Sequence, residues 1–527
     1  MTAFAVVGSR VLAAAGDPIQ PLKAPSVEYR ALMPQLILIG GAITILVMSS
    51  LIRRRRRPGL WMAMTILTAA AAAVASIVLW NDFGGVAHTT VADAIAVDGF
   101  SIWFQFIACS ALVLGALIAE PYLQREGLDG PEFLVLALLS ASGCMTMAAA
   151  NDLIVLFLGL EILSIALYVL AGYHRRRVES SEAAMKYFVL GAFSSALFLY
   201  GIALTYGGTG STNLNEIANF LAANVVRSPG ILLAGMALLV VGLGFKVAAV
   251  PFHTWTPDVY QGSPTPATAF MAAVAKAAGF AGLLRILLST FQIQRLDWHP
   301  IVFVLSVATL VVGSVLAIAQ SDVKRMLAYS SISHAGFILV GVDSANKRGV
   351  SGALFYLLSY TFVVMGSFAV ISVMGGEGDA EHSIESYRNL GKRQPALALA
   401  FAICLMGQAG VPFTTGFFAK FVVFQAAADS SRWALLIVAV LATAVATFFY
   451  LRVIIVMYSG PDSGPDHDSV EAEESGGGAR VALAARVTTA VPVSTAIALT
   501  ICVAFTLIFG IFPGPVIDFA KRATLLF

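Results

Sequence analysis

Long apolar runs separated by short polar loops repeat from one end of the chain to the other, and fourteen of them are long enough to cross a hydrocarbon core of ~30 Å as helices. They lie near residues 31 to 52, 60 to 80, 97 to 119, 131 to 150, 152 to 172, 183 to 206 and 230 to 250, the seventh continuing past Pro251. The others lie near 266 to 290, 300 to 319, 322 to 342, 350 to 374, 395 to 428 with an interruption at Pro412, 432 to 458 and 486 to 512. This pattern predicts an all-α polytopic membrane protein of about 14 transmembrane helices, with residues 31–527 forming a single membrane domain. Composition agrees, because 58% of the 527 residues are hydrophobic and only 12% are charged, a balance that soluble domains do not show.

Two of the runs carry the same interruption. Val-Pro-Phe occurs at 250–252 and again at 411–413, inside an apolar stretch each time. Proline removes a backbone hydrogen bond and clashes with the preceding turn, so a break at membrane depth requires protein or water around the freed carbonyls. The sequence thus predicts two discontinuous helices, the seventh and the twelfth. An odd offset of five makes them antiparallel, and interrupted helices at corresponding positions of two inverted halves point to a transport site. Lys246 precedes the first break and Lys420 follows the second, which puts both on the same side of their breaks.

Polar residues inside the other runs sharpen this picture. At a rise of about 1.5 Å per residue, Glu161 lies ~13 Å past Asp152, Lys276 ~15 Å past Pro266 and His334 ~18 Å past Asp322, all near mid-membrane. Each such residue costs free energy unless it faces a bundle interior or a wet cavity. Singly, each could be a static polar anchor between helices. Glu161, Lys246, Lys276, His334 and Lys420 on five different helices look instead like a set. Lysine suits proton exchange: desolvation disfavours its ammonium and a nearby carboxylate favours it, so it changes charge when a carboxylate approaches or loses its influence. Lys186 sits four residues after Glu182 and reads equally well as a surface i,i+4 pair. Arg285, Arg452 and Arg486 lie towards span ends, where long side chains snorkel. Many small residues in the eighth span, from Ala267 to Gly282, predict close helix packing around Lys276.

Charge in the loops sets an expected orientation. Fifteen basic residues, among them Arg53 to Arg57 and Arg175 to Arg177, fall in loops after odd-numbered spans, and five fall in the opposite loops. By the positive-inside rule both termini are expected outside the cytoplasm. The net charge of +2 therefore carries no suggestion of nucleic acid. Residues 1–30 lack a secretory signal pattern and read as a non-cytoplasmic interfacial segment, and residues about 459–480, rich in Gly, Ser, Asp and Glu, read as a mobile cytoplasmic loop. Four isolated cysteines, the absence of a P-loop and the absence of a dinucleotide fingerprint offer no iron–sulfur, zinc, ATP or NADH site in this chain. Energy for transport must come from an ion gradient or a partner.

The stretch GLGFKVAAVPFHTWTPDVYQGSPTPATAF at 242–270, with SDVKRMLAYSSISHAGFILVG and GVPFTTGFFAKF, resembles the antiporter-like membrane subunits of respiratory complex I, the N-type branch most closely through TPDVYQG. The resemblance covers roughly residues 130 to 460. It implies two inverted five-helix repeats, about 131–290 and 300–458, and a hydrated central axis. By motif match it makes Glu161 and Lys246 a carboxylate–lysine pair, Lys276 the central lysine and Lys420 the lysine of the second broken helix. It assigns connecting positions to His253 and His334, and Lys186 gains support from Met-Lys-Tyr-Phe at 185–188. It further implies proton translocation in the cell membrane. NADH, FMN, iron–sulfur clusters and quinone would be held by partner subunits, including an M-type antiporter-like subunit and small membrane subunits. A cation/proton antiporter or hydrogenase membrane subunit shares the same fold and stays open as the alternative, as does a structural scaffold.

Overall fold

The computed structural model describes residues 27–51, 59–225, 229–460, 490–523 and 525. The expected interfacial segment up to residue 26, the loop from 461 to 480 and Arg486 lie outside the described residues. The chain begins with helices α1 (Tyr29–Leu51) and α2 (Leu60–Phe83), a small antiparallel hairpin of β1 (His88–Thr90) and β2 (Ile95–Val97), then α3 (Gly99–Arg125). Next come α4 (Glu132–Ala149), α5 (Leu153–Ala171), α6 (Val178–Thr209), a short α7 (Leu214–Ala223), α8 (Pro229–Val247), α9 (Trp255–Gly262) and α10 (Thr265–Arg285), which ends in one π turn. The second half holds α11 (Arg295–Ile318), α12 (Val323–Ser344), α13 (Lys347–Met374), a one-turn α14 (Leu390–Arg393), α15 (Pro395–Ala409), α16 (Thr415–Asp429) and α17 (Trp433–Tyr458). Helices α18 (Val493–Ile511) and α19 (Gly514–Arg522) close the chain.

Thirteen helices among the described residues are long and apolar enough to cross a membrane. The expected twelfth span is the pair α15 and α16, two shorter helices meeting at Gly410–Thr414, and the seventh is α8 followed by α9 across residues 248–254. Several ends differ from the hydrophobic pattern. Helix α3 runs six residues past the expected 119 and α6 starts five before 183, because polar and charged residues that hydropathy excludes still propagate a helix once its apolar part is packed.

Acids and amides fix where helices begin. Asp98, Asp152 and Asp322 are the N-caps of α3, α5 and α12, each carboxylate accepting a backbone N–H of the first turn at 2.7–2.8 Å. Two of these caps also reveal the internal repeat. Leu153 N–H donates to Thr212 O (2.9 Å) and Leu214 N–H to Asn151 O (2.9 Å). In the second half, Val323 N–H donates to His382 O (2.8 Å) and Ile384 N–H to Ser321 O (2.9 Å). The same backbone clasp thus joins the start of α5 to the chain after α6 and the start of α12 to the chain after α13. The first clasp lies beside the β1–β2 hairpin, through Asn151 and Ala94, and the second lies at the opposite end of the bundle. Helix α8 runs toward that second end and α15 away from it, so the broken helices are antiparallel.

The second end is held by a buried ion cluster. Asp379 caps α10 by accepting from Thr265 N–H (3.2 Å) and the Thr265 hydroxyl (2.8 Å), and it pairs with Lys324 (3.4 Å), Arg177 (3.3 Å) and His382 (3.2 Å). Lys324 and Asp379 are both fully buried. Burial opposes ionisation of Asp379, but the Lys324 ammonium, His382 and the Thr265 hydroxyl outweigh it and hold the carboxyl well below the usual carboxylate range. Thr265, the first residue of α10, thus takes its cap from Asp379, 114 residues away in the chain. Helices α10, α12 and α13 are buried along almost their whole length, whereas α1, α2, α17 and α18 show most of their surface.

Removing the Asp379 carboxylate leaves Lys324 as an uncompensated buried charge, so Asp379→Ala should destabilise the fold by about 3–5 kcal/mol, read as a lower thermal midpoint of the detergent-solubilised protein. Because the folded-state carboxyl titrates below its unfolded value, the stabilisation is fully present above the ordinary carboxylate range and fades as pH falls through the depressed value. The gap between wild type and variant should therefore stay constant from pH 8 to about 5 and narrow in stronger acid.

Candidate functional site

Helix α8 ends at Val247 where Ala248 turns left-handed (φ 61°) and the Val250–Pro251 peptide is cis. The carbonyls freed by the break find partners. Phe245 O accepts from Trp255 Nε1 (3.0 Å) and Gly244 O from Ala249 N–H (2.8 Å), while Val250 N–H donates to Thr309 Oγ1 (2.9 Å). Val247 O lies 3.4 Å from the Nζ of Lys276, which makes its shorter bond, 2.6 Å, to Ser331 O on α12. Gly279 permits this approach, since a Cβ there would meet Val247 Cγ1 at 2.8 Å and Lys246 Cβ at 3.1 Å.

Lys246, in the last turn of α8, is 2% exposed, and its Nζ has no hydrogen-bond partner among the described residues. Aromatic faces surround it instead, with Nζ 5.3 Å from the Tyr168 ring centroid, 5.4 Å from Tyr187 and 5.6 Å from Phe245. Tyr187 is itself stacked on Trp255 at 4.5 Å. Glu161 on α5 is the carboxylate whose charge reaches Lys246, without a direct ion pair, and its Oε1 is buried with no hydrogen-bond partner among the described residues.

At the second break Gly410 is left-handed (φ 84°) and Val411 O accepts the Thr414 hydroxyl at 2.6 Å. Ala409 O, at the end of α15, accepts from Lys420 Nζ at 2.8 Å, and the Nζ lies 4.6 Å from the Phe337 ring centroid. Both breaks therefore present the last carbonyl of a half-helix to a buried lysine. Within the second half, His334 on α12 links two neighbouring helices: Nδ1 is 2.7 Å from Tyr356 Oη on α13 and Nε2 is 3.1 Å from Tyr450 Oη on α17. Tyr450 also contacts the Ser330 hydroxyl and Gln408, which lies in the last turn of α15 before the second break. The charges of Lys276 and Lys420 both act on His334.

The remaining two candidates sit apart from this buried row. Lys186 is 41% exposed and pairs with Glu182 (2.8 Å) and with Asp258 (2.6 Å), which is in turn bound by Arg325 (2.8 Å). It borders a pocket of about 300 Å³ shared with Arg177, Asp258, Asp322 and His382. Its neighbour in sequence, Tyr187, touches Lys246. His253 lies in the first break, half-buried, with a buried Nδ1 that has no hydrogen-bond partner among the described residues.

A family model described as NADH:quinone oxidoreductase/Mrp antiporter, TM, matches residues 150–446. The NADH-quinone oxidoreductase subunit N of Trichlorobacter lovleyi is 40% identical over 502 residues, 95% of this chain and 98% of that one. The subunit N of Mycobacterium tuberculosis is 39% identical, over 96% of this chain and 99% of its own. The chain belongs to the N-type antiporter-like membrane subunits of NADH-quinone oxidoreductase. Among solved structures, a chain of respiratory complex I from Thermus thermophilus with bound aureothin superposes with a TM-score of 0.74 at 31% identity, over 93% of this chain and 100% of that one. The Mrp complex of Dietzia shares the fold, with a TM-score of 0.79 at 22% identity over 94% of this chain and 97% of that one.

Within this N-type framework, the tyrosines were missed. Tyr168, Tyr187, Tyr356 and Tyr450 lie on buried helix faces, but tyrosine in a membrane span ordinarily marks the interface belt, so sequence gave no reason to place them beside Lys246 and His334. Gln408 could have been found, as a polar residue four before Pro412. Arg285 corrects the snorkelling expectation. It is 1% exposed and paired with Asp98 at 2.8 Å inside the protein, whereas Arg452 does reach the surface.

Gly410→Ala would place a methyl group 2.9 Å from Lys420 Cδ and strain a left-handed backbone by about 1–2 kcal/mol. The variant should lose coupled quinone reduction in the assembled complex while other cavity-neutral changes on α15 do not, a comparison readable by inhibitor-sensitive turnover in membranes.

Proposed function

We propose that this subunit moves protons through the row Glu161, Lys246, Lys276, His334 and Lys420, with Lys186 and His253 feeding the first half. The observation that carries this reading is Lys276, whose ammonium lies between Val247 O at the first break and Ser331 O on the helix bearing His334. One buried, movable charge thus touches both halves. Lysine and histidine hand on protons without bond changes other than N–H, and Glu161 acts on Lys246 through its charge.

The energy comes from electron transfer between NADH and quinone in partner subunits, which hold the FMN and iron–sulfur clusters. An M-type antiporter-like subunit and small membrane subunits adjoin this chain in the cell membrane. The excess of basic residues in loops after odd-numbered spans supports an orientation with both termini outside the cytoplasm, so the Asp379 end faces inward. Outward transfer then works against the membrane potential, at about 2.3 kcal/mol per charge per 100 mV. Lys186 and its pocket lie on the inner side, a position suited to uptake.

Lys246→Ala in the assembled complex should lower both coupled quinone reductase activity and proton pumping. Wild-type turnover and pumping in that variant would remove Lys246 from the route, and sodium movement in place of protons would favour a cation antiporter instead.

A further inference from the structure

Each half of the bundle ends, on the side away from Asp379, in a charged cluster, and the two are built differently. In the first, Arg285 is locked. Its Nη2 donates to Asp98 Oδ1 at 2.8 Å, its Nε to Ala148 O at 2.6 Å, and neither side chain is more than 1% exposed. In the second, Asp343 at the end of α12 is fully buried, yet neither carboxylate oxygen has a hydrogen-bond partner among the described residues. Its charged neighbours stand off: His299 Nδ1 at 3.6 Å from α11 and Arg432 Nε at 3.5 Å from the start of α17, with Arg295 acting from further away. Arg432 contacts the His299 ring and is 34% exposed, so the cluster reaches the surface through it.

A row of hydroxyls leads back from this cluster to the centre. Ser306 and Thr309 follow His299 on α11 by seven and ten residues, ~15 Å in all, and both are fully buried. Each hydroxyl donates to its own helix, Ser306 to Val302 O and Thr309 to Leu305 O, leaving oxygen lone pairs for an incoming donor. Thr309 Oγ1 already accepts Val250 N–H, inside the first break and three residues from the carbonyl that Lys276 approaches.

We propose that Asp343 and His299 form the outward release station of the subunit, fed from Lys276 along Thr309 and Ser306. A proton arriving at the Asp343 carboxylate passes to the His299 imidazole and then to water beside Arg432, whose fixed positive charge returns Asp343 to its ionised form. Only O–H and N–H bonds are made and broken. The locked Asp98–Arg285 pair leaves the first half without such an outlet, so protons collected there leave through the second half. This rests on the proton-transfer reading above.

The test uses Asp343→Asn, Asp343→Glu and His299→Gln in the intact complex reconstituted in proteoliposomes, with Lys246→Ala as reference and subunit assembly checked by native electrophoresis. Asp343→Asn and His299→Gln should lower the protons pumped per NADH oxidised, Asp343→Glu should restore pumping, and His299→Gln should shift the dependence of turnover on external pH. Normal pumping in either assembled neutral variant overturns the assignment. Should Asp343→Asn fail to assemble, His299→Gln alone decides. Loss of pumping in Lys246→Ala but not in these variants refutes only the release station, whereas normal pumping in all of them refutes the transport reading itself.

Discussion

An ammonium group enclosed by a membrane-thick bundle must be met by oxygen or by an aromatic face, and the arrangement of this chain follows from how that demand is satisfied. A helix broken at Pro251 or Pro412 frees a carbonyl that an unbroken helix would hold in its own hydrogen-bond ladder. Val247 O and Ala409 O are the last carbonyls of their half-helices, and each lies near a lysine ammonium. At the second break the dependence is mutual, since Ala409 O and Lys420 satisfy each other, whereas at the first Lys276 divides its bonds between Val247 O and the closer Ser331 O. Helices α10, α12 and α13 are accordingly enclosed on all sides, since they carry or face these groups.

The two halves share a plan but not a charge distribution. The clasp of Leu153 and Thr212 recurs as that of Val323 and His382, so each half is pinned where a helix pair closes. Lys246 lies before its break and Lys420 after the other, which makes the halves complementary rather than duplicate. At one end Lys324, Arg177, His382 and Thr265 from both halves converge on a single carboxylate, Asp379. At the other end two separate carboxylates, Asp98 and Asp343, each serve one half with unequal tightness.

Membrane spans, breaks and buried lysines were legible in the sequence because each is written locally: apolar length, an inserted proline, a charge where charge is costly. Partnerships between distant segments were not. Nothing near Asp379 indicates that Lys324 and Thr265 will close on it from two other helices, and Arg285 looks like any arginine near a span end until Asp98 is brought to it. Tyr356 and Tyr450 acquire meaning only from the faces they share with His334. Lys186 was ambiguous between a helix-surface pair and a functional group, and it makes both the Glu182 contact and a longer-range one to Asp258.

The ring enclosure of Lys246 has a kinetic meaning. Tyr168, Tyr187 and Phe245 attract a cation through their faces, but a face cannot take up a proton as a carboxylate oxygen does. The residue is thereby able to hold charge with no immediate acceptor to drain it. On the proton-transfer reading proposed above, Lys246 resembles a capacitor plate more than a length of wire: it stores a charge that Glu161 senses at a distance and discharges only when water or a moving side chain completes the circuit.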